Sequence, residues 1–148
     1  MVRTIMPSWA ESEEKSRHDR LVTEIARLRF AYPNIEHPAY VTYTNEPTQR
    51  MGVKTGSSVV YPDIVVVDAS ASNNLELIGE VETEATINQD HVQQWRTYSG
   101  LNASFFLYVP SSLVQEARRL LSSNGVNLSG GLRSYSDDAQ GNLLITSL

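Results

Sequence analysis

The sequence contains no cysteine, and this absence excludes several classes of protein. Without cysteine there is no disulfide, no thiolate nucleophile and no cysteine-bound zinc or iron–sulfur cluster. Any metal must therefore be held by oxygen or imidazole ligands. No apolar run approaches the length of a bilayer span, and residues 1–10 lack the basic and apolar regions of a signal peptide. We expect a cytoplasmic protein with no membrane partner.

Positive charge is also scarce, with 12 Lys and Arg against 17 Asp and Glu and a formal net charge of −5. Phosphate binding draws on clustered Lys and Arg, so this balance counts against a broad DNA-binding surface. An acidic pocket that holds cations would account for part of the negative total. The chain has 148 residues, of which 41% are hydrophobic. This size and composition predict one globular domain over residues 1–148.

The spacing of apolar residues predicts the order helix, three strands, helix, strand, helix, strand. The predicted elements are a helix over 10–31, strands over 40–44, 59–67 and 75–82, a helix over 86–99, a strand over 103–109, a helix over about 112–124 and one or two closing strands between 132 and 145. The residue pair Thr86 and Gln89 resembles a capping box at the start of the second helix. We expect an α/β fold with a central mixed sheet and helices on its faces.

Three carboxylates fall at the ends of two predicted neighbouring strands. Side chains alternate along a strand, so Glu80 and Glu82 share one face while Val81 points into the core. An antiparallel hairpin through the turn near Asn73 brings Asp63 beside this pair. Carboxylates crowded together in a half-buried place repel one another unless a cation lies among them. Oxygen ligands of this kind suit Mg²⁺.

These residues resemble the motif of the PD-(D/E)XK, or restriction-endonuclease-like, superfamily of metal-dependent nucleases. The similar residues are Pro62 and Asp63, followed by Glu80, Val81 and Glu82. The resemblance covers about residues 10–123 and implies a restriction-endonuclease-like three-layer sandwich of the order αβββαβαβ. The lysine that is usual in the family is replaced here by Glu82.

Two further features are similar to those of the superfamily. Gln94 and Tyr98 match the Gln-x-x-x-Tyr motif of its RecB-like branch, and Glu24 lies on the first helix, where many members contribute an acidic metal ligand. An ordinary alternative for Glu24 is a salt bridge within its own helix. Trp95 and Tyr98 are more typical of a core than of a binding site.

The resemblance implies a nuclease that uses Mg²⁺ or Mn²⁺ to cut DNA. Asp63, Glu80, the Val81 carbonyl and Glu24 would hold the ion. Glu82 would accept the proton of the attacking water, and Gln94 would position water or phosphate. A domain of this size has little surface for sequence readout, so a homodimer or a partner subunit is expected.

Two other hypotheses remain open at the level of sequence. The chain could be a nuclease-like fold without catalysis that serves as a nucleic-acid or protein-binding module, which the acidic balance and Glu82 favour. Alternatively, the carboxylates could be solvent-facing residues of an α/β domain without a metal. Burial and mutual distance of the carboxylates distinguish this last hypothesis from the others.

Overall fold

A computed structural model describes residues 8–148 of the chain. Residues 1–7, on which the expectation about a signal peptide partly rests, lie outside the described residues. The helices are α1 (Ser8–Arg29), α2 (Gln89–Ser99) and α3 (Val114–Ser123). The strands are β1 (Tyr40–Thr44), β2 (Val53–Thr55), β3 (Ser58–Val60), β4 (Ile64–Asp68), β5 (Asn74–Val81), β6 (Ser104–Pro110), β7 (Gly131–Asp137) and β8 (Leu143–Ser147). None of the described helices is long and apolar enough to cross a membrane.

Six of these strands form one mixed sheet in the order β1-β4-β5-β6-β7-β8. Strands β1, β4 and β5 form an antiparallel meander, β6 and β7 add in parallel, and β8 closes the sheet in antiparallel pairing. The hairpin of β4 and β5 pairs Ile64 with Gly79, so the residues just beyond that pair lie at one end of the sheet. The sequence predicted this hairpin, and the structure confirms it.

Helices cover both faces of the sheet. On one face, Ile25 of α1 packs in the same buried cluster as Ile64 of β4. On the other face, Trp95 of α2 and Leu120 of α3 belong to the buried cluster of Val65. Because neighbouring residues of β4 point to opposite faces, this strand contributes to both cores. The predicted α/β architecture with a mixed sheet is confirmed, and the layering is compatible with a three-layer sandwich.

The predicted strand over residues 59–67 is divided in the structure, and only its second half joins the large sheet. The chain instead forms the separate two-stranded hairpin of β2 and β3 and enters β4 only at Ile64. Pro62 has no N–H to donate to a sheet. Asn45 holds this segment with two hydrogen bonds. Its buried side-chain amide donates to the Pro62 carbonyl at 2.6 Å, and its backbone N–H donates to the Asp63 carbonyl at 2.9 Å. The interruption leaves Asp63 immediately before β4.

The start of α2 also differs from the prediction. Asn88 caps the helix, because its side chain accepts a hydrogen bond from the Asp90 N–H. The hydroxyl of Thr86 instead accepts from the Thr83 N–H at 2.9 Å. The capping box therefore does not form, and α2 begins three residues later than the sequence predicted.

Candidate metal centre

Asp63 and Glu80 meet at the end of the β4 and β5 hairpin. The Asp63 N–H donates to Glu80 Oε1 at 2.9 Å, and the Val81 N–H donates to Asp63 Oδ2 at 2.8 Å. Both carboxylates are buried, with Asp63 6% and Glu80 5% exposed. The structure thus brings together Asp63 and Glu80, which the predicted antiparallel hairpin placed side by side.

Glu82 lies directly after β5 and is fixed from three sides. Its N–H donates to the Tyr108 carbonyl at 2.9 Å, which continues the pairing with β6. Its carbonyl accepts from the Tyr135 hydroxyl at 2.6 Å. Its side-chain Oε1 accepts from the Trp95 indole N–H at 3.0 Å. Glu82 is therefore a buried carboxylate held in one orientation by α2 and the sheet.

Burial shifts the ionisation of these glutamates. The pKa of Glu80 is raised well above its usual value, first by loss of solvent and then by the charges of Asp63 and Glu82. Burial likewise raises the pKa of Glu82 to about 7, although hydrogen bonds from Thr86 and Trp95 oppose the shift. Such a cluster keeps protons or recruits a cation, because ionised carboxylates without either are costly in a low-dielectric site.

His18 of α1 joins the centre, and the sequence reasoning did not identify it. Its Nε2 lies 3.2 Å from Asp63 Oδ2 and 2.9 Å from the Val81 carbonyl oxygen. Burial lowers the pKa of His18, but the hydrogen bond and the charge of Asp63 outweigh this effect and raise the pKa to about 9. The imidazolium thus supplies the positive charge that the carboxylates need.

The spacing of His18 in the sequence helps to explain why it reaches this site. It precedes Leu21, Val22 and Ile25 by three, four and seven residues, so it extends the buried stripe of α1 toward the end of the sheet. A histidine that continues an apolar stripe either packs in the core or reaches a polar site at its end. In this structure, His18 reaches the polar site.

The structure does not bring Glu24 to this centre, so its assignment as a metal ligand is corrected. Glu24 lies six residues after His18, which is about 9 Å along the helix axis. Its carboxylate forms an ion pair with Arg27, as the ordinary alternative predicted. Two acidic residues of α1 line the site, Glu11 and Glu14, and Glu14 accepts a hydrogen bond from the buried Thr83 hydroxyl.

Gln94 and Tyr98 occupy one turn of α2 beside the carboxylates. The Gln94 amide donates to the Tyr98 hydroxyl at 3.2 Å, and Gln94 lines the same pocket as Asp63. Tyr98 is buried in the core, as expected. His91 also lines the pocket, with Nδ1 4.0 Å from Glu82 Oε2. The α2 side of the site therefore offers an amide and an imidazole.

These side chains line a pocket of about 510 Å³. Six carboxylates among the described residues contribute to its lining: Glu11, Glu14, Glu46, Asp63, Glu80 and Glu82. Lys15 is the only Lys or Arg found there among residues 8–148. The interior of this pocket is strongly acidic, which favours binding of a cation.

The donor set at Asp63 fits a divalent cation of the Mg²⁺ type. Two ligands at right angles around an ion, each about 2.1 Å from it, lie about 3 Å apart. His18 Nε2 has this spacing to Asp63 Oδ2 (3.2 Å) and to the Val81 oxygen (2.9 Å). A neutral His18 could therefore exchange its two hydrogen bonds for a shared ion. Glu80 is adjacent, with its Oε1 2.9 Å from the Asp63 backbone nitrogen.

A second group, His18, Asp19 and Glu46, has ligand atoms that all lie within 4.8 Å of one another. It is the one such group of three among the described residues. The Lys15 ammonium lies 3.2 Å from both carboxylates and already compensates their charge. Asp63 and Glu80 are buried, and among the described residues the cation paired with Asp63 is the His18 imidazolium, so a metal ion at the Asp63 centre would replace the proton of His18.

Comparisons with protein-family models, curated proteins and solved structures gave no significant match. Overall similarity therefore assigns the chain to no family. The resemblance of its acidic motif to that of metal-dependent nucleases rests on the residues of that motif alone.

Proposed function

We propose that this protein is a divalent-cation-dependent phosphodiesterase that acts on DNA and is built on a restriction-endonuclease-like three-layer sandwich. The observation that carries the proposal is the pairing of two buried carboxylates, Asp63 and Glu80, beside the Val81 carbonyl and His18. The meander of β1, β4 and β5 with β6 added in parallel supports the fold part of the proposal.

Four groups would hold the cation: Asp63, Glu80, the Val81 carbonyl and neutral His18. The oxygen atoms of Asp63, Glu80 and Val81 suit Mg²⁺ and Mn²⁺, and the imidazole of His18 makes Mn²⁺ the better fit of the two. When bound, such an ion polarises a phosphoryl oxygen, lowers the pKa of water and neutralises developing charge. His18 must release its proton to join the set, so binding weakens as pH falls.

Glu82 would act as the general base. A base works best when its pKa is near the operating pH, and the pKa of Glu82 is about 7. Trp95 holds its carboxylate in place, and Gln94 would position the water or the phosphate. The water oxygen attacks phosphorus as Glu82 takes its proton, the phosphorus–oxygen bond on the far side breaks, and solvent protonates the departing oxygen.

A plasmid-cleavage assay in Mn²⁺ tests the proposal with a matched pair of variants from one strand. Glu80→Gln removes the buried charge, whereas Glu76→Gln makes the same change at the far end of β5. We expect cleavage by the wild type and by Glu76→Gln, and a loss of about a hundredfold or more in Glu80→Gln. Equal background cutting by all three proteins would contradict a phosphodiesterase.

A second candidate is a nuclease-like module that binds nucleic acid or protein without cutting. It is favoured by Glu82 in place of a lysine and by the single Lys of the acidic pocket in residues 8–148. Calorimetric binding of Mn²⁺ together with no plasmid cleavage by the wild type selects this candidate. Under either function, a homodimer or a partner subunit would supply the contacts that select a sequence.

A further inference from the structure

The ammonium group of Lys15 lies among carboxylate oxygens on the exposed side of the acidic pocket. It donates to Asp19 Oδ1 at 3.3 Å, to Asp19 Oδ2 at 3.2 Å and to Glu46 Oε2 at 3.2 Å. An ammonium has three donors, so these three oxygens match its capacity. Lys15 therefore serves as a cation for protein oxygens and is not free to bind an anionic ligand.

The groups around Lys15 have the spacing of a cation site. Ligand atoms of His18, Asp19 and Glu46 all lie within 4.8 Å of one another. Mg²⁺ and Mn²⁺ are commonly held by one or two carboxylates together with water molecules. Asp19 and Glu46 can therefore hold a divalent ion between them. This position is next to the Asp63 centre, because His18 also contacts Asp63.

The two carboxylates need a positive charge between them. The pKa of Glu46 is raised, first by burial and then by its contact with Asp19, and Lys15 opposes this rise. The same contacts hold Lys15 in its charged form, since the hydrogen bonds with Asp19 and Glu46 raise the pKa of its ammonium. Lys15 thus occupies the place that a dissolved cation would otherwise take.

Lys15 competes well for this place because the chain attaches it there. It precedes Asp19 by four residues, so both side chains lie on the same side of α1. An attached cation loses little translational freedom on binding, whereas a dissolved ion must be captured from bulk solvent. A divalent ion on the same oxygens would also be repelled by the ammonium. Lys15 therefore keeps a free divalent ion from binding to Asp19 and Glu46.

We propose that Lys15 is a tethered cation that fills a second cation site, formed by Asp19 and Glu46, and so limits the protein to a single divalent ion at the Asp63 centre. The single ion rests on the proposed function, whereas the role of Lys15 does not. A pocket lined by six carboxylates favours the binding of several cations. Removal of the Lys15 ammonium opens Asp19 and Glu46 to a second ion.

Titration with Mn²⁺ tests this proposal when the paramagnetic resonance signal of the free ion is used to count bound ions per chain. We expect one bound ion in the wild type and two in Lys15→Met. Lys15→Arg keeps the tethered charge and should bind one ion. Arg20→Met removes a positive charge elsewhere on α1, beside two other surface pockets, and should also bind one. Lys15→Met combined with Glu46→Gln lacks a carboxylate of the second site and should return to one.

The other outcomes separate this inference from the phosphodiesterase. Equal counts in the wild type and Lys15→Met overturn the tethered cation, and so does an additional ion in Lys15→Met that remains after Glu46→Gln. If the wild type binds no ion and Lys15→Met binds one that Glu46→Gln removes, the tethered cation stands and the Asp63 centre fails. If the counts are as expected but the wild type does not cut plasmid in Mn²⁺, only the phosphodiesterase fails. Circular dichroism of each variant checks that it is folded.

Discussion

The hairpin of β4 and β5 carries acidic residues at both ends, and the two ends differ in how those residues are satisfied. At one end, Asp68 accepts hydrogen bonds from the Ser70 N–H at 2.9 Å and the Ser70 hydroxyl at 2.6 Å, and Glu76 accepts from Asn74 at 2.9 Å. These carboxylates are partly exposed. At the other end, Asp63 and Glu80 are buried against each other.

The Asp and Glu residues at the two ends of this hairpin therefore differ in how their charges are stabilised. At the exposed end, water and local donors stabilise the carboxylates, which shape a turn. At the buried end, charge repulsion and loss of solvent raise the pKa of Glu80. A carboxylate pair marks a candidate functional site only when burial makes its charge costly. Changes of pH and substitutions at either end test this contrast, and the largest effect is expected from pH.

Raising the pH should destabilise the metal-free protein through its buried end. The pKa of Glu82 is about 7 in the folded chain against 4.5 ordinarily, and that of His18 is about 9 against 6.5. Each raised pKa means that the folded chain retains protons that the unfolded chain has lost. The stability contributed by Glu82 is complete below its ordinary pKa and is lost as pH rises through about 7; that of His18 is lost as pH rises through about 9.

Denaturant unfolding in EDTA across this range measures the effect. We expect the free energy of unfolding to fall by a few kcal/mol toward the alkaline end, and Mn²⁺ to restore it. A stability that is constant or rises with pH would contradict the raised pKa values.

Neutralising the buried glutamate should stabilise the metal-free protein at mildly alkaline pH. Glu80→Gln keeps an oxygen for the Asp63 N–H and removes the cost of holding either a proton or a charge on this buried carboxyl, so we expect the free energy of unfolding to rise by about 2 kcal/mol. Glu76→Gln at the exposed end should change the stability by less than about 0.5 kcal/mol. Thermal unfolding of the wild type and both variants in EDTA measures these changes. A loss of stability in Glu80→Gln would contradict the claim that the buried carboxyl destabilises the metal-free protein.

Removing the indole donor should shift the ionisation of Glu82 further. Trp95→Phe deletes the hydrogen bond at 3.0 Å that favours the carboxylate form, so the pKa of Glu82 should rise by about one unit. Carboxyl ¹³C NMR titration measures the pKa directly. In a cleavage assay, the acid limb of the rate profile should move to higher pH by the same amount. An unchanged or lower pKa would mean that Trp95 does not set the ionisation of Glu82.

The smallest effect is expected at the exposed end. Asp68→Ala removes the two hydrogen bonds to Ser70 and should lower the stability by about 1 kcal/mol or less. Its Mn²⁺ affinity should equal that of the wild type. A change in metal affinity would show that the two ends of the hairpin are coupled, contrary to the contrast between them.

Local sequence patterns predict much of the fold. Strand β1 falls at the residues that the pattern of Tyr40–Thr44 indicates, and the β4 and β5 hairpin follows from β-branched residues on both sides of a turn. The separate hairpin of β2 and β3 was missed because Val59 and Val60 continue the apolar pattern of β4. Pro62 and the long-range contacts of Asn45 separate the two strands.

The site could be predicted where it depends on strand geometry and not where it depends on helix packing. The alternation of side chains and the hairpin register bring Asp63 and Glu80 together. Which residue of α1 reaches them depends on how far the helix slides along the sheet, and its own sequence does not determine this. His18 and Glu14 therefore line the pocket, while Glu24 lies beyond it.

Calorimetric titration with Mn²⁺ tests the central claim most directly, because it measures cation binding without requiring cleavage. We expect the wild type, Asp68→Ala and Glu76→Gln to bind Mn²⁺ with equal affinity, and Asp63→Ala and Glu80→Gln to lose this binding. Equal heats from Asp63→Ala and the wild type would contradict a cation site at the buried end of the hairpin.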